Sequence, residues 1–361
     1  MLDKTILKKG LSKQLIVTGC FILILTCFFF FFRNAVYVER FYSGKIFPVF
    51  AIIGQTLYKW TPVSIGDLLY VICSLIGLVL FVKAIIYIFR RIYLMALIQV
   101  ISILNITLFI VMLFYLLWGG NYFRVPLEVR MALDMEVKES CELLETAAFC
   151  IDQANKYRKL IREEDFLIDN RAIFKRATQL LQENAKLKPF LFVYLPTVKE
   201  PISDLLINYA MVSGYFNPFT QETQVNSSMP VFSKPFTACH ELGHQSGIGF
   251  EDEANLVGFI LCTQSDDALF QYSAYYHAMA MLLRQVYLED KHSYLNLIQL
   301  IDKEVLLDVE DEQNYWEKFS GLVNDAGSVF YNQYLLLNNQ PEGLRRYDRM
   351  TKLLIAWRKK Y

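Results

Sequence analysis

A chain of 361 residues that is 54% hydrophobic and 15% aromatic, with a mean hydropathy of +0.28, carries enough apolar matter for a sizeable core and too much for a wholly soluble protein. Lysine plus arginine and aspartate plus glutamate each number 36, so no global basic field draws nucleic acid through counterion release, and nucleic acid is set aside as a partner. The seven cysteines show neither CxxC spacing nor the density of a disulfide scaffold and are read as structural thiols.

The first apolar run, 14–32, is long enough to cross a hydrocarbon core. It ends in Phe28 to Phe32 and Arg33 without a small-residue cleavage pattern, so it is read as a retained anchor rather than a signal peptide. Runs 68–89, where Lys83 can snorkel, and 96–118, with Asn105 inside, give a second and a third span, and the lipid bilayer is an expected partner. Lys4, Lys8, Lys9 and Lys13 before the first span, and Arg90 and Arg91 between the other two, favour a cytoplasmic N-terminus with everything after Gly119 on the outer side. Arg33, Arg40, Lys45 and Lys59 in the first loop reduce that contrast. This loop, 34–67, mixes apolar residues with Pro48 and Pro62 and is expected to lie along the interface. The spans lack the intramembrane charges of an ion or substrate path, which argues against transport.

Residues 119–361 read as one mainly helical, α+β domain behind a three-helix anchor of 1–118. Helical spacing appears over 127–164 and 171–186, and again over 267–287, 292–307, 314–337 and 342–357. Between Pro189 and Pro235 the pattern shifts to short β-branched and aromatic stretches, Phe190 to Tyr194 and Val212 to Phe216, which predict a small strand or hairpin. The stretch 214–230 can supply an edge strand that pairs with an extended peptide, or can simply cap the domain.

The chemistry concentrates in HELGH, His240 to His244. Histidines one helical turn apart project from one face and can share a metal ion at about 2 Å each. Glu241 projects near the same side, where a carboxylate can take a proton from an attacking water. In a chain with only four histidines this spacing is a specific signal. A third ligand is offered by Glu251, Asp252 or Glu253, but a straight helix would carry Glu251 about 10 Å past His244. Gly247 and Gly249 are suited to end the helix and reverse the chain, after which EDEAN can begin a second helix whose first turn faces the metal.

HELGH followed by EDEAN resembles the gluzincin class of zinc peptidases, in which a glutamate from a second helix completes the site. The resemblance implies a zincin-like fold and one zinc ion held by His240, His244 and Glu251, with Glu241 as general base. In the class pattern ExxxD, Glu251 takes the first place and Asn255 the fifth; Asn for Asp is a departure that still leaves an acceptor to orient an imidazole. Glu253 is the substitute ligand; the alternative for it and for Asp252 is a solvated carboxylate at a helix start. HELGHQSGIGF also matches the metzincin pattern until Phe250 replaces its third histidine, so gluzincin is preferred. The wider chain, with three spans, WGGNYFRVPL at Trp118 to Leu127 and the tail NDAGSVFYNQYLLLNNQPEG, is similar to an uncharacterised bacterial membrane-protein family of unknown function, which implies an outward-facing metalloprotease domain.

An oxyanion donor is also needed, and His277 and Tyr347 are candidates, each with core or surface packing as its alternative role. His292 reads as solvent-exposed, and Phe330, Tyr331 and Tyr334 as core. The expectation is a membrane-anchored zinc-dependent metallopeptidase acting on a peptide or protein substrate. Its rival is a non-catalytic zinc-containing membrane sensor or scaffold, whose metal would be closed by four protein ligands.

Overall fold

The computed structural model describes residues 4–136, 140–185, 190–321, 333, 337–338 and 347–361, and it is mostly helical with one small sheet. Phe330, Tyr331 and Tyr334 lie outside the described residues, as does the side chain of Tyr347. The chain forms two compact units: Met1–Phe50 with Ile65–Arg124 and Pro218–Thr220, and Ala51–Ser64 with Val125–Asn217 and Gln221–Tyr361.

The first unit is built on α1 (Lys4–Phe32), α3 (Ile65–Phe89) and α4 (Tyr93–Leu117); between α1 and α3 the chain also forms α2 (Phe47–Tyr58). Within these helices Leu7–Phe32, Ile65–Phe89 and Tyr93–Leu117 are each long and apolar enough to cross a membrane. Asn105, inside the third span, is satisfied across the α1–α4 seam: its amide donates to Gln14 Oε1 at 2.6 Å and it accepts from the Thr18 hydroxyl at 2.7 Å. The first loop is largely helical. Asn34 caps a helical turn by accepting from the Tyr37 N–H, and a π-helical stretch, Val38–Ile46, leads directly into α2. Tyr42 sits where a Cβ on Gly120 would come within 2.6 Å of its ring, so Gly120 is needed for that contact. Arg124 closes the stretch with a two-pronged ion pair on Glu39 at 2.8 and 2.6 Å.

The second unit carries α5 (Ser140–Arg158), α6 (Asn170–Ala185), β1 (Val198–Lys199), α7 (Asp204–Tyr209), β2 (Gly214–Asn217), β3 (Glu222–Val225), α8 (Lys234–Gln245), α9 (Glu251–Thr263), α10 (Ala268–Glu289), α11 (Lys291–Ile298), α12 (Lys303–Glu317) and α13 (Tyr347–Lys360). The strand order is β1-β3-β2, with β1 parallel and β2 antiparallel to β3, so β2 is an outer strand. Phe190 to Tyr194 form no strand; the Leu195 N–H that follows donates to the Gln55 side chain, not to a ladder partner. The long helix expected over 127–164 breaks after Arg130, where Ala132 takes φ +50°. The helix expected over 292–307 is broken, because Asp302 turns extended and donates its N–H to Asn155 Oδ1 at 2.9 Å before α12 starts; of the helix expected over 314–337, residues 322–332 and 334–336 lie outside the described residues.

The core sits among α5, α6, α8, α9 and α10, around Ile151, Leu180, Leu242, Phe259 and Tyr272, all essentially without solvent contact. Lys199 is buried beside Glu222 at 2.6 Å and also donates to the Tyr58 carbonyl and the Thr61 hydroxyl. Its charge is therefore paired and its remaining donors are used, as burial requires.

Candidate metal centre

Helix α8 starts favourably: Pro235 stands in its first turn, where a missing N–H costs nothing. Its apolar side, Phe236, Cys239 and Leu242, is buried in the core, and its other side carries His240, Glu241 and His244. The helix ends in a Schellman turn: Gly247 at φ +83° donates to the His244 carbonyl at 3.0 Å, and Ile248 N–H returns to the Gly243 carbonyl at 3.1 Å. Among the described residues Gly247 alone of the two turn glycines takes the left-handed conformation.

This turn has a chemical consequence. It directs the Ile248 carbonyl at His244 Nδ1, 2.8 Å away. A carbonyl only accepts, so Nδ1 carries a proton and Nε2 is the His244 nitrogen that faces the other histidine and is placed to bind a metal. Helix α9 then begins at once with Glu251, and α8 and α9 lie close because their contact is lined by small residues. A Cβ on Gly258 would stand 3.1 Å from the His240 nitrogen, and one on Gly243 would stand 3.6 Å from the Cα of Ala254.

The result is one compact donor set. His240 Nε2 and His244 Nε2 are 3.2 Å apart, Glu251 Oε2 is 3.2 Å from the first, and Glu251 Oε1 is 3.5 Å from the second. Ligands held about 2.0 to 2.1 Å from a tetrahedral ion stand about 3.3 Å from one another, so the spacing fits a shared metal. His240, His244 and Glu251 can hold a metal ion. The electrostatics favour a cation there: burial alone would lower the His244 pKa, but the Glu251 carboxylate raises it to about 9. Glu251 is itself held well below the usual carboxylate range by the two imidazoles, against the opposing effect of burial. Its side chain is 31% exposed against 12% and 7% for the histidines, so access to the group is from the Glu251 side.

Glu241 lies beside the donor set, 4.0 Å from His240 Nε2, and is buried. Burial pushes its carboxyl above the ordinary value while the imidazoles pull it back, leaving a carboxylate with raised proton affinity. Gly214 at the start of β2 makes room for it, since a Cβ there would meet Glu241 Cγ at 2.9 Å and Thr237 Cγ2 at 2.8 Å.

The remaining expected residues are placed differently. Glu253, the substitute ligand, does not join the donor set. It accepts from the Leu127 N–H at 2.9 Å and faces Arg130 and Arg349 at 3.7 and 3.8 Å. Neither it nor Asp252 is a solvated helix-start carboxylate: both are buried, which pushes each up to about 7, and Arg349 approaches Asp252 to 3.3 Å. The chain folds back through Leu127 and α13 over the first turn of α9, and so covers them. Asn255, expected to orient a histidine, has no hydrogen bond to either imidazole among the described residues; the Ile248 carbonyl holds His244 instead. His277 stacks on Phe236 with ring centres 4.4 Å apart, and its Nε2 is buried without a hydrogen-bond partner among the described residues. Tyr347 is the first residue of α13, and His292 is exposed on α11.

Gly214, Ile248 and Gly258 also shape the site, and they lie outside the HELGH and EDEAN motifs. Gly258 lies seven residues beyond Glu251, two turns along the same face, which is the signal that marks it as a close-approach glycine. Ile248 gives no signal in its side chain, because its contribution is a main-chain carbonyl.

No curated protein and no solved structure matches the chain. A family model does match, over residues 42–355, from the π-helical stretch to the last helix. The chain therefore belongs to the family described as protein of unknown function (DUF3810).

Proposed function

We propose that the chain is a membrane-anchored zinc-dependent peptidase of the gluzincin kind. The observation that carries this reading is the convergence of His240, His244 and Glu251 from two helices at metal-ligand spacing, with the buried carboxylate of Glu241 beside them. Two imidazoles and one carboxylate form the borderline donor set that suits zinc and leaves a coordination position open. When bound, zinc supplies Lewis acidity toward the scissile carbonyl and acidifies water. The protein's own residues do the rest. Ile248 fixes the tautomer of His244, and Glu241, with its raised proton affinity, takes the proton of the attacking water and passes it to the leaving amine. His277 is the preferred donor to the developing oxyanion, since its Nε2 has no hydrogen-bond partner among the described residues and its ring lies against Phe236, one turn before His240. Tyr347 is the other candidate. Lys4, Lys8, Lys9 and Lys13 in the first turns of α1, ahead of the apolar run 14–32, and the Arg90–Arg91 pair support an outer location for the second unit, and hence action on envelope peptides.

The test is metal content and cleavage together, on the full chain in detergent, with a mixture of synthetic peptides read by mass spectrometry. The wild type should hold one zinc and cleave; Glu241→Gln should keep the zinc and lose turnover at least a hundredfold; His244→Ala should lose both. Full activity in either variant rejects the reading. Zinc retained by a wild type that cleaves nothing supports the sensor or scaffold instead.

A further inference from the structure

Beside the metal group the second unit contains a cleft of about 530 Å³, lined among others by Met211, Ser213, His277, Glu312, Trp316 and Glu317. It adjoins the candidate centre through two of its walls. Ser213 immediately precedes Gly214, the residue packed on Glu241, and His277 stacks on Phe236 of α8. Its third wall is α12, where Glu312 and Trp316 are one helical turn apart and Gln313 and Glu317 form a parallel pair.

The lining has a definite chemistry. Glu312 is half-buried and fixed in place, accepting from the Ser233 hydroxyl on one oxygen at 2.6 Å and from the Tyr276 hydroxyl on the other at 2.8 Å. Among the described residues no lysine or arginine lines the cleft or pairs with Glu312. A carboxylate held by one neutral hydroxyl donor on each oxygen still has acceptor capacity for a further donor. Glu317 adds a second carboxylate at the exposed rim, and Trp316 adds an aromatic face of the kind that attracts an organic cation. The volume is that of a pocket for one long side chain, not for a single hydrated ion.

We infer that this cleft is a specificity subsite that takes a peptide-borne organic cation, an ammonium or guanidinium group, with its charge at Glu312 and Glu317 and its apolar stem along Trp316 and Met211. The inference deepens the peptidase reading and rests on it for the bond cleaved, but not for the cation bound. An extended peptide running along the outer strand β2 passes the cleft mouth at Ser213, which brings the cationic residue within a few positions of the scissile bond.

The experiment uses the zinc-loaded full chain and a set of peptides identical but for one position, occupied by lysine, arginine, norleucine or glutamate. Each is made with a free and with an acetylated N-terminus. Lysine and arginine peptides are expected to exceed the norleucine peptide at least tenfold in kcat/KM, and the ratio should fall to within about threefold in Glu312→Gln. A preference that survives acetylation assigns the cation to a side chain, and one lost on acetylation assigns it to the terminal amine. Glu317→Gln, at the exposed rim, should lower the ratio less and serves if Glu312→Gln does not fold. Equal cleavage of lysine and norleucine peptides, or a ratio unchanged in both variants, overturns the inference while leaving the peptidase reading intact. If no peptide is cleaved, that reading fails, and calorimetric titration with the lysine and norleucine peptides decides the subsite alone. Salt-sensitive binding of the lysine peptide that Glu312→Gln abolishes upholds it, and absence of binding overturns it.

Discussion

At the scale of single residues, the candidate centre depends on one main-chain carbonyl. His244 Nδ1 is committed to Ile248, and that carbonyl is aimed by Gly247 at φ +83°. Gly247→Ala places a Cβ in the left-handed region at a cost of about 1 to 2 kcal/mol. The turn can relax only by moving Ile248, so the variant should bind zinc more weakly by about tenfold or more, a typical loss for a broken ligand support. Competition with a chromophoric chelator reads this, and an unchanged affinity would remove Ile248 from its role. Asn255 gives the converse expectation. It has no bond to either imidazole among the described residues, so Asn255→Ala should leave zinc affinity within about threefold, where a true supporting group would cost ten- to a hundredfold. The two variants measured together separate the support seen in the turn from the support implied by the ExxxD spacing.

At the scale of elements, Glu251 reaches the two histidines because α8 and α9 approach closely. Gly258 stands against the His240 backbone, with an added Cβ 3.1 Å from its nitrogen, and neither helix backbone can yield there without shifting. Gly258→Val is expected to cost about 1 to 3 kcal/mol as an overpacking substitution. It should also move Glu251 out of reach, so that the helical circular dichroism survives while bound zinc is lost. Zinc retained at full stoichiometry would show that the close contact is not what positions Glu251. The histidine pair was legible in the sequence because both residues sit on one helix, where spacing alone sets direction. The reversal of the chain was legible because a left-handed residue calls for glycine. Glu253 was not readable in the same way: its partners Leu127, Arg130 and Arg349 lie more than ninety positions away, and only tertiary folding makes a helix-start carboxylate a buried one. Arg349 and Glu312 illustrate the same limit, since neither belongs to a local pattern. Arg349→Ala leaves Asp252 and Glu128 facing a lost guanidinium in a buried setting, for which about 3 to 5 kcal/mol of destabilisation is expected in thermal or denaturant unfolding.

At the scale of the whole molecule, the three apolar helices were the plainest feature of the sequence, because length and lipophilicity are counted without reference to any contact. The segment between the first two was less legible. Its prolines and mixed composition point only to a loop along the interface, and Asn34, the π-helical stretch and α2 make it helical almost throughout. Orientation rests on charge alone, and the chain carries its own reporter for it. Cys141 is exposed at the start of α5, outside the spans; Cys150, Cys239 and Cys262 are buried; Cys20, Cys27 and Cys73 lie on the apolar helices. A membrane-impermeant maleimide therefore has one thiol to find in water. With Lys4, Lys8, Lys9, Lys13, Arg90 and Arg91 on the cytoplasmic side, three crossings put Cys141 outside, and intact cells should be labelled as strongly as lysed ones. Cys141→Ser should abolish the signal in both, which ties it to that thiol. Labelling that appears only after lysis would invert the chain, move the metal group to the cytoplasmic side and remove envelope peptides from its reach, while leaving the chemistry of His240, Glu241, His244 and Glu251 as it stands.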